Sequence, residues 1–170
     1  MEQGWISSDF IVKSSTKNNT IIIGYASVFG VTDTHNDVVL KGAFRSVQTG
    51  DVRLLWQHDA TKPIGVVRFL EEDEYGLKLE AEINNKTIAG AEASELIKQG
   101  AVCGLSIGFA IKSSDYNKSG ARVIDEVDLK EISVVTFPAN SGAEILQVKN
   151  QTQQNQLDEL AMLIHQLTNY

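Results

Sequence analysis

Residues 103–111 read Cys-Gly-Leu-Ser-Ile-Gly-Phe-Ala-Ile, a run in which bulky and small side chains alternate. In a β-strand this alternation places the bulky residues on one face and Ser106 with its small neighbours on the other. Glycine inside a strand often marks the close approach of another backbone. The run therefore predicts a strand on which Gly104 and Gly108 either form a bed for a substrate chain or make room for the protein's own side chains.

Two further segments supply groups that would activate a serine. Residues 55–59, Leu-Trp-Gln-His-Asp, carry His58, and residues 129–140, Leu-Lys-Glu-Ile-Ser-Val-Val-Thr-Phe-Pro-Ala-Asn, carry Glu131. A base, a nucleophile and an acid are the catalytic groups that a serine hydrolase requires. The three residues lie far apart in the sequence, so only the fold can bring them together.

Each of these residues also has a structural interpretation. His58 follows apolar residues at even spacing, which is typical of a histidine at the edge of a core. Glu131 would serve equally as an exposed strand residue paired with Lys130 or Arg122. Asp59, next to His58 in a strand, points to the opposite face and is expected to be structural, capping a turn.

The sequence also contains residues that suit two other kinds of hydrolase site. Asp33, His35, Asp37 and His58 have oxygen and imidazole groups that suit divalent ions, but their spacing matches no established ligand pattern. Cys103 stands three positions before Ser106, so on a strand it faces the other side and is typical of a small core residue. We therefore expect no metal and no other cofactor.

Composition narrows the class of protein. The chain has 170 residues, of which 42% are hydrophobic, enough for one domain with a real core. A net charge of −7 without a basic run argues against nucleic-acid binding. The single Cys103 excludes an internal disulfide and indicates a reducing compartment, and no apolar run approaches the roughly 20 residues of a membrane span.

The pattern along the chain is mainly that of strands. Residues 9–13 and 20–29 predict a hairpin, a short helix is expected around Phe44 and Val47, and a longer helix is expected over 86–99 with Thr87 as its cap. Further strands are predicted at about 52–57, 64–71, 75–83, from 103 up to a polar loop at 113–121, at 122–127, and at the Glu131 segment, ending at Pro138. The predicted fold class is α+β, a curved or closed antiparallel-rich β-barrel with a few surrounding helices.

Seven motifs occur in a fixed order between residues 20 and 145. They are Gly-Tyr-Ala-Ser-Val-Phe at 24–29, Asp-Val-Val-Leu-Lys-Gly-Ala-Phe at 37–44, Leu-Trp-Gln-His-Asp at 55–59, Pro-Ile-Gly at 63–65, Glu-Leu-Ile-Lys-Gln-Gly at 95–100, Gly-Leu-Ser-Ile-Gly-Phe at 104–109 and Glu-Ile-Ser-Val-Val-Thr-Phe-Pro-Ala-Asn at 131–140. In this order they resemble the prohead (procapsid maturation) protease family of tailed bacteriophages. The resemblance implies a fold similar to the herpesvirus assembly protease.

Position by position, the resemblance implies His58 as general base, Ser106 as nucleophile and Glu131 as third member of a triad. The implied function is a serine endopeptidase that cuts the scaffolding segment of the major capsid protein, and itself, inside the assembling prohead in the host bacterial cytoplasm. The alternative is a non-catalytic capsid-assembly or scaffold module with the same fold. Backbone amides near Asn140 and Ser141, or beside Ser106, are the candidates for an oxyanion hole.

The last residues differ in character from the rest. We expect a protease domain over 1–148, a polar linker over 149–156 and an amphipathic helix over 157–170. The apolar positions of that helix are Leu157, Leu160, Ala161, Ile164 and Leu167. This face is expected to pack on its own domain or on a partner, such as a second copy in a dimer or higher oligomer, and the linker is a candidate site of self-cleavage.

Overall fold

The described part of the chain in this computed structural model comprises residues 11–12 and 18–149. In chain order its elements are β1 (Ile11–Val12), β2 (Asn19–Val28), β3 (Asp37–Val39), a 3₁₀ turn (Thr49–Asp51), β4 (Arg53–Trp56), β5 (Asp59–Glu72), β6 (Gly76–Asn84), α1 (Ile88–Lys98), β7 (Gly104–Tyr116), β8 (Arg122–Val135) and β9 (Ile145–Lys149). The strands form one sheet in the order β1-β9-β2-β6-β5-β4-β8-β3, with β7 paired to β8. The predicted α+β fold class, a curved antiparallel-rich sheet with few helices, is confirmed, and the described residues include one α-helix. The linker and the amphipathic helix expected beyond residue 149 lie outside the described residues.

Alternating apolar residues build the core from the inner face of the sheet. On β6, Leu77, Leu79, Ala81 and Ile83 are at most 1% exposed, while Lys78 between them is exposed. This is the alternation that the sequence predicts, because successive strand residues point to opposite faces. The curl of the sheet encloses these side chains together with those of β7 and β8.

The start of β7 has backbone partners in the segment that leads into β9. Gly104 forms an isolated antiparallel bridge with Glu144. The Leu105 N–H donates to the Ala143 carbonyl at 2.8 Å, and the Ile145 N–H donates to the Cys103 carbonyl at 2.8 Å. The strand that carries Ser106 is therefore joined to the segment leading into β9.

The helix α1 has the boundaries expected from its capping signals. The Thr87 hydroxyl accepts the Gly90 N–H at 3.1 Å at its start. Gly100, with φ of 72°, follows its end, a conformation that glycine adopts without steric cost. Of the helices within the described ranges, none has the length and hydropathy required of a membrane span.

Three details of the sequence prediction were wrong. The segment with Phe44 is a series of turns over 41–46, not a helix, because Gly42 has φ of 94° and the Glu72 carboxylate accepts the Gly42 and Phe44 amides at 3.0 and 3.1 Å. The predicted hairpin between β1 and β2 is absent from the described sheet, since β9 lies between these strands. The loop predicted from residue 113 begins later, because β7 continues to Tyr116 and β8 is a single strand.

Candidate active site

The register of β7 and β8 brings Ser106 and Glu131 onto one face. Ser106 lies opposite Ser133, and Gly108 lies opposite Glu131. Residues two apart on a strand share a face, so all four positions point the same way. Ser106 and Glu131, which are 25 residues apart in the sequence, are thus diagonal neighbours on one face of an antiparallel pair.

Gly108 provides the space that the Glu131 side chain occupies. A Cβ atom at position 108 would lie 2.2 Å from Glu131 Oε1, far inside contact distance. A Cβ at Gly104 would lie 2.7 Å from Pro138 Cδ and 2.8 Å from the Val135 carbonyl oxygen. Both glycines therefore make room for the protein's own atoms, the second of their two interpretations, and a substrate contact at either stays a prediction.

His58 stands on a tight turn between β4 and β5. Trp56 pairs with Asp59, and the two residues between them, Gln57 and His58, have φ of 54° and 59°. Positive φ at both central residues is the signature of a type I′ hairpin turn, in which residues other than Gly, Asn and Asp are unusual. Such backbone strain persists only where surrounding contacts impose it.

Four hydrogen bonds tie this strained turn to β8 and its end. The Gln57 N–H donates to the Val134 carbonyl at 3.0 Å, and the His58 N–H donates to Ser133 Oγ at 3.1 Å. The side chain of Gln57 donates to Thr136 Oγ1 at 2.9 Å and accepts the Thr136 N–H at 3.3 Å. The turn is thereby fixed against the strand that carries Glu131.

The His58 ring and the Glu131 carboxylate form a close pair. His58 Nδ1 lies 2.6 Å from Glu131 Oε1, and Ser133 Oγ donates to Glu131 Oε2 at 2.7 Å. The Glu131 side chain is 14% exposed and the His58 side chain 45% exposed. With Nδ1 engaged by the carboxylate, the Nε2 atom is the nitrogen left to accept a proton.

Ser106 and His58 line the same cleft, which has a volume of about 350 Å³. Ser106 is 7% exposed. Its lining includes the loop with Asp33, Thr34 and His35 and the segment with Phe137, Ala139 and Asn140. The Thr34 N–H donates to the Ala139 carbonyl at 3.0 Å, which joins these two segments.

The acidic residues of the cleft have partners within the protein. Asp33 Oδ1 accepts the amides of His35 and Asp37 at 2.8 and 2.9 Å. The buried Asp37 carboxylate accepts two hydrogen bonds from Arg122, at 2.8 and 2.7 Å, and this pairing raises the pKa of Arg122. Within residues 18–149, no group of three or more His, Cys, Asp or Glu side chains is arranged to hold a metal ion, so the geometry gives the metal-hydrolase alternative no support.

The remaining candidates also have defined surroundings. Asp59 Oδ1 accepts the Thr61 hydroxyl and amide at 2.6 and 2.9 Å, which lowers the Asp59 pKa and matches the turn-capping role predicted for it. Burial raises the pKa of the Cys103 thiol, which disfavours the nucleophilic thiolate. Asn140 lines the cleft and donates its side-chain amide to the Val28 carbonyl at 2.9 Å, while oxyanion binding by the backbone at Asn140 and Ser141 stays a prediction.

Two residues of the site escaped the sequence analysis. Ser133 shares the strand face of Glu131 because it is two positions away. The alternation of faces along a strand would have predicted this placement. Gln57 left no signal, since a glutamine at positive φ depends on contacts that come from β8.

Comparison with known proteins identifies relatives of this chain. The family model described as caudovirus prohead serine protease matches residues 8–158. A prohead protease of Enterobacteria phage HK97 is 36% identical over 76% of this chain and 60% of its own length. A prohead protease of Escherichia phage T5 is 29% identical over 78% of this chain and 65% of its own length. A capsid polyprotein of Pseudomonas phage PAJU2 is 31% identical over 82% of this chain but 21% of its own length. The chain thus spans under two thirds of each of these curated relatives.

Solved structures share the fold at low sequence identity. The KSHV protease, in complex with a hexapeptide phosphonate inhibitor, superposes with a TM-score of 0.52 at 14% identity, covering 75% of this chain and 64% of its own. The varicella-zoster virus protease superposes with a TM-score of 0.51 at 8% identity, covering 77% and 64%. The curled sheet is therefore the fold of herpesvirus proteases, as the sequence predicted.

Proposed function

Because the chain belongs to the caudovirus prohead serine protease family, we propose that it is a serine endopeptidase with Ser106 as nucleophile, His58 as general base and Glu131 as third member. The observation that carries this proposal is the 2.6 Å contact between His58 Nδ1 and Glu131 Oε1 beside the cleft that Ser106 lines. The strand pairing of Ser106 with Ser133, whose hydroxyl contacts both His58 and Glu131, supports the same arrangement.

The reaction follows from the roles of these groups. His58 Nε2 takes the proton of the Ser106 hydroxyl as Oγ attacks the carbonyl carbon of a peptide bond. The resulting imidazolium gives that proton to the leaving amine, the C–N bond breaks, and an ester to Ser106 remains. Water then attacks the ester with His58 again as base, which releases the acid and restores the serine. Glu131 accepts the hydrogen bond from Nδ1–H throughout and stabilises the charged ring.

The proposed substrate is the scaffolding segment of the major capsid protein, together with the chain itself. The names of the phage relatives support this proposal, since two are prohead proteases and one is a capsid polyprotein. Action inside the assembling prohead, in the host cytoplasm, is part of the same proposal. Self-cleavage in the 149–156 linker and assembly of two or more copies through 157–170 also stay proposals.

The test is co-expression of the chain with its cognate capsid protein, followed by intact mass measurement of both. Wild type is compared with Ser106→Ala and with Ser114→Ala, a matched control on the exposed part of the same strand. We expect cleavage of the capsid protein by wild type and by the Ser114 variant, and none by the Ser106 variant. Equal masses in all three samples, with assembled shells present, would favour the non-catalytic assembly module.

A further inference from the structure

Ser133 is a fully buried hydroxyl in contact with both members of the His58–Glu131 pair. It is 0% exposed and lies on the same strand face as Glu131 and directly opposite Ser106. Its Oγ donates to Glu131 Oε2 at 2.7 Å and accepts the His58 N–H at 3.1 Å. A buried polar group is tolerated only when it is hydrogen-bonded, and here both bonds go to the site.

The chemistry of the groups fixes the direction of these bonds. A backbone amide can only donate and a carboxylate can only accept, so the single proton of the Ser133 hydroxyl points at Glu131. That bond holds Oε2 and leaves Oε1 facing His58 Nδ1. The Gly108 backbone closes the other side, because only a residue without Cβ leaves space for the carboxylate there.

The second bond, from the His58 N–H to Ser133 Oγ, links the hydroxyl to the backbone of His58. His58 holds φ of 59°, a conformation that its neighbours must impose, and its amide is anchored on Ser133. The contacts form a closed circuit from the His58 ring to Glu131, to Ser133 and back to the His58 amide. One hydroxyl thus contacts both the carboxylate that meets the ring and the backbone of the residue that carries the ring.

Resting on the proposed function, we propose that Ser133 is a positioning residue that orients the Glu131 carboxylate toward His58 and sets the imidazole in place for Ser106. It does not contact substrate in this role. A serine that only satisfied buried hydrogen-bonding groups would affect stability but not the state of the His58 ring.

The kinetic test compares Ser133→Ala with Ser133→Thr, which keeps the hydroxyl, and with Ser133→Val, which has the shape of threonine without it. We expect kcat to fall roughly tenfold or more in the Ala and Val variants, with KM little changed, and the Thr variant to retain more activity than Val. In a Glu131→Ala background the Ser133→Ala change should lower kcat by less than about threefold, because the carboxylate that Ser133 orients is absent. An equal fall in both backgrounds overturns the proposal.

A matched control separates positioning from stability. Ser94→Ala removes another buried hydroxyl, which donates to Asn85 Oδ1 at 2.5 Å, away from the residues that line the cleft. We expect it to lower the unfolding temperature and leave kcat unchanged. If Ser133→Ala behaves in the same way, the proposal is wrong.

A second readout does not depend on protease activity. In nitrogen-15 NMR spectra the His58 ring is identified by the signals lost in His58→Gln. We expect the wild-type ring to carry its proton on Nδ1, the Ser133→Ala variant to show a shifted or exchange-broadened Nδ1 proton, and Ser133→Thr to restore it. If the Nδ1 proton signal of His58 is unchanged in Ser133→Ala, the proposal for Ser133 is wrong. If the wild-type chain shows no Ser106-dependent cleavage, the proposed function is wrong, and the NMR measurement still tests whether Ser133 orients the His58 ring.

Discussion

Gly108 matters at the residue scale because the Glu131 carboxylate occupies the place of its missing side chain. A methyl group there would lie 2.2 Å from Oε1, so Gly108→Ala must displace the carboxylate that holds His58. Gly108 thus leaves the space that the Glu131 carboxylate needs, although it contributes no functional group.

We predict that Gly108→Ala lowers kcat at least tenfold, because a carboxylate displaced from Nδ1 no longer orients the imidazole. Steady-state kinetics on a peptide of the capsid cleavage site would measure this. Gly50→Ala is the matched control, since a Cβ at Gly50 has nothing within 4 Å and its effect on kcat should be negligible. Wild-type kcat in the Gly108 variant would contradict the role of Glu131.

At this scale the sequence was informative where side-chain type and alternation carried the signal. Ser106 stood out between two glycines, and the fold brings Glu131 beside it. The purpose of Gly108 was not predictable, because the distance to Glu131 depends on which residues of β7 and β8 are opposite each other. A single-residue slip of that register would have placed Glu131 on the other face.

The hairpin turn between β4 and β5 shows how a secondary-structure element serves the site. Its central residues Gln57 and His58 both have positive φ, a conformation that costs of order 1–3 kcal/mol for each residue that is not glycine. The hydrogen bonds to Val134, Ser133 and Thr136 offset that cost. The element is therefore stable only against β8, and it places His58, the proposed base, next to Glu131, the proposed acid.

We predict that Gln57→Pro abolishes activity and destabilises the protein by about 3 kcal/mol or more, because proline fixes φ near −65° and removes the amide that donates to Val134. Gln57→Ala keeps that amide and loses the side-chain bonds with Thr136, at a cost of about 1 kcal/mol. Urea denaturation and cleavage assays on both variants would check this. A proline variant as stable and active as wild type would refute the left-handed turn.

Element boundaries were predicted correctly where local sequence signals determine them. They were predicted wrongly where residues distant in sequence make the deciding hydrogen bonds. The cap Thr87 and the glycine after the helix located α1. The turns around Phe44 were mistaken for a helix because the carboxylate that accepts the Gly42 and Phe44 amides belongs to Glu72, a residue of another strand. No periodicity in the sequence reports such a contact.

At the scale of the whole molecule, stability depends on pairs that join residues far apart in the sequence. The Tyr25 hydroxyl on β2 donates to Asp73 Oδ2, at the β5–β6 turn, at 2.6 Å. This bond lowers the pKa of Asp73 and raises that of Tyr25. Because the Asp73 pKa is lower in the folded state, ionised Asp73 stabilises the fold at pH values above its ordinary pKa of 3.8. This contribution is lost as the pH falls through the folded-state pKa.

We predict that Tyr25→Phe lowers the free energy of unfolding by about 1 kcal/mol at pH 7 and that the difference from wild type narrows below the ordinary Asp range, near pH 3. Denaturant titrations of both proteins at pH 7 and at pH 2.5 would measure it. An equal difference at both pH values would show that the stabilisation does not depend on the ionised Asp73.

β9 is the last described strand in the sequence, yet it lies inside the sheet between β1 and β2 and follows the segment that fastens the start of β7. During translation every other described strand is synthesised before β9. The nascent chain therefore first holds Ser106 on a strand whose backbone partners at residues 143–145 have not been made. The strand that carries Ser106 has all its backbone partners only when synthesis has passed residue 145. We therefore expect the order of translation to delay assembly of the proposed protease site until the last described strand has been made.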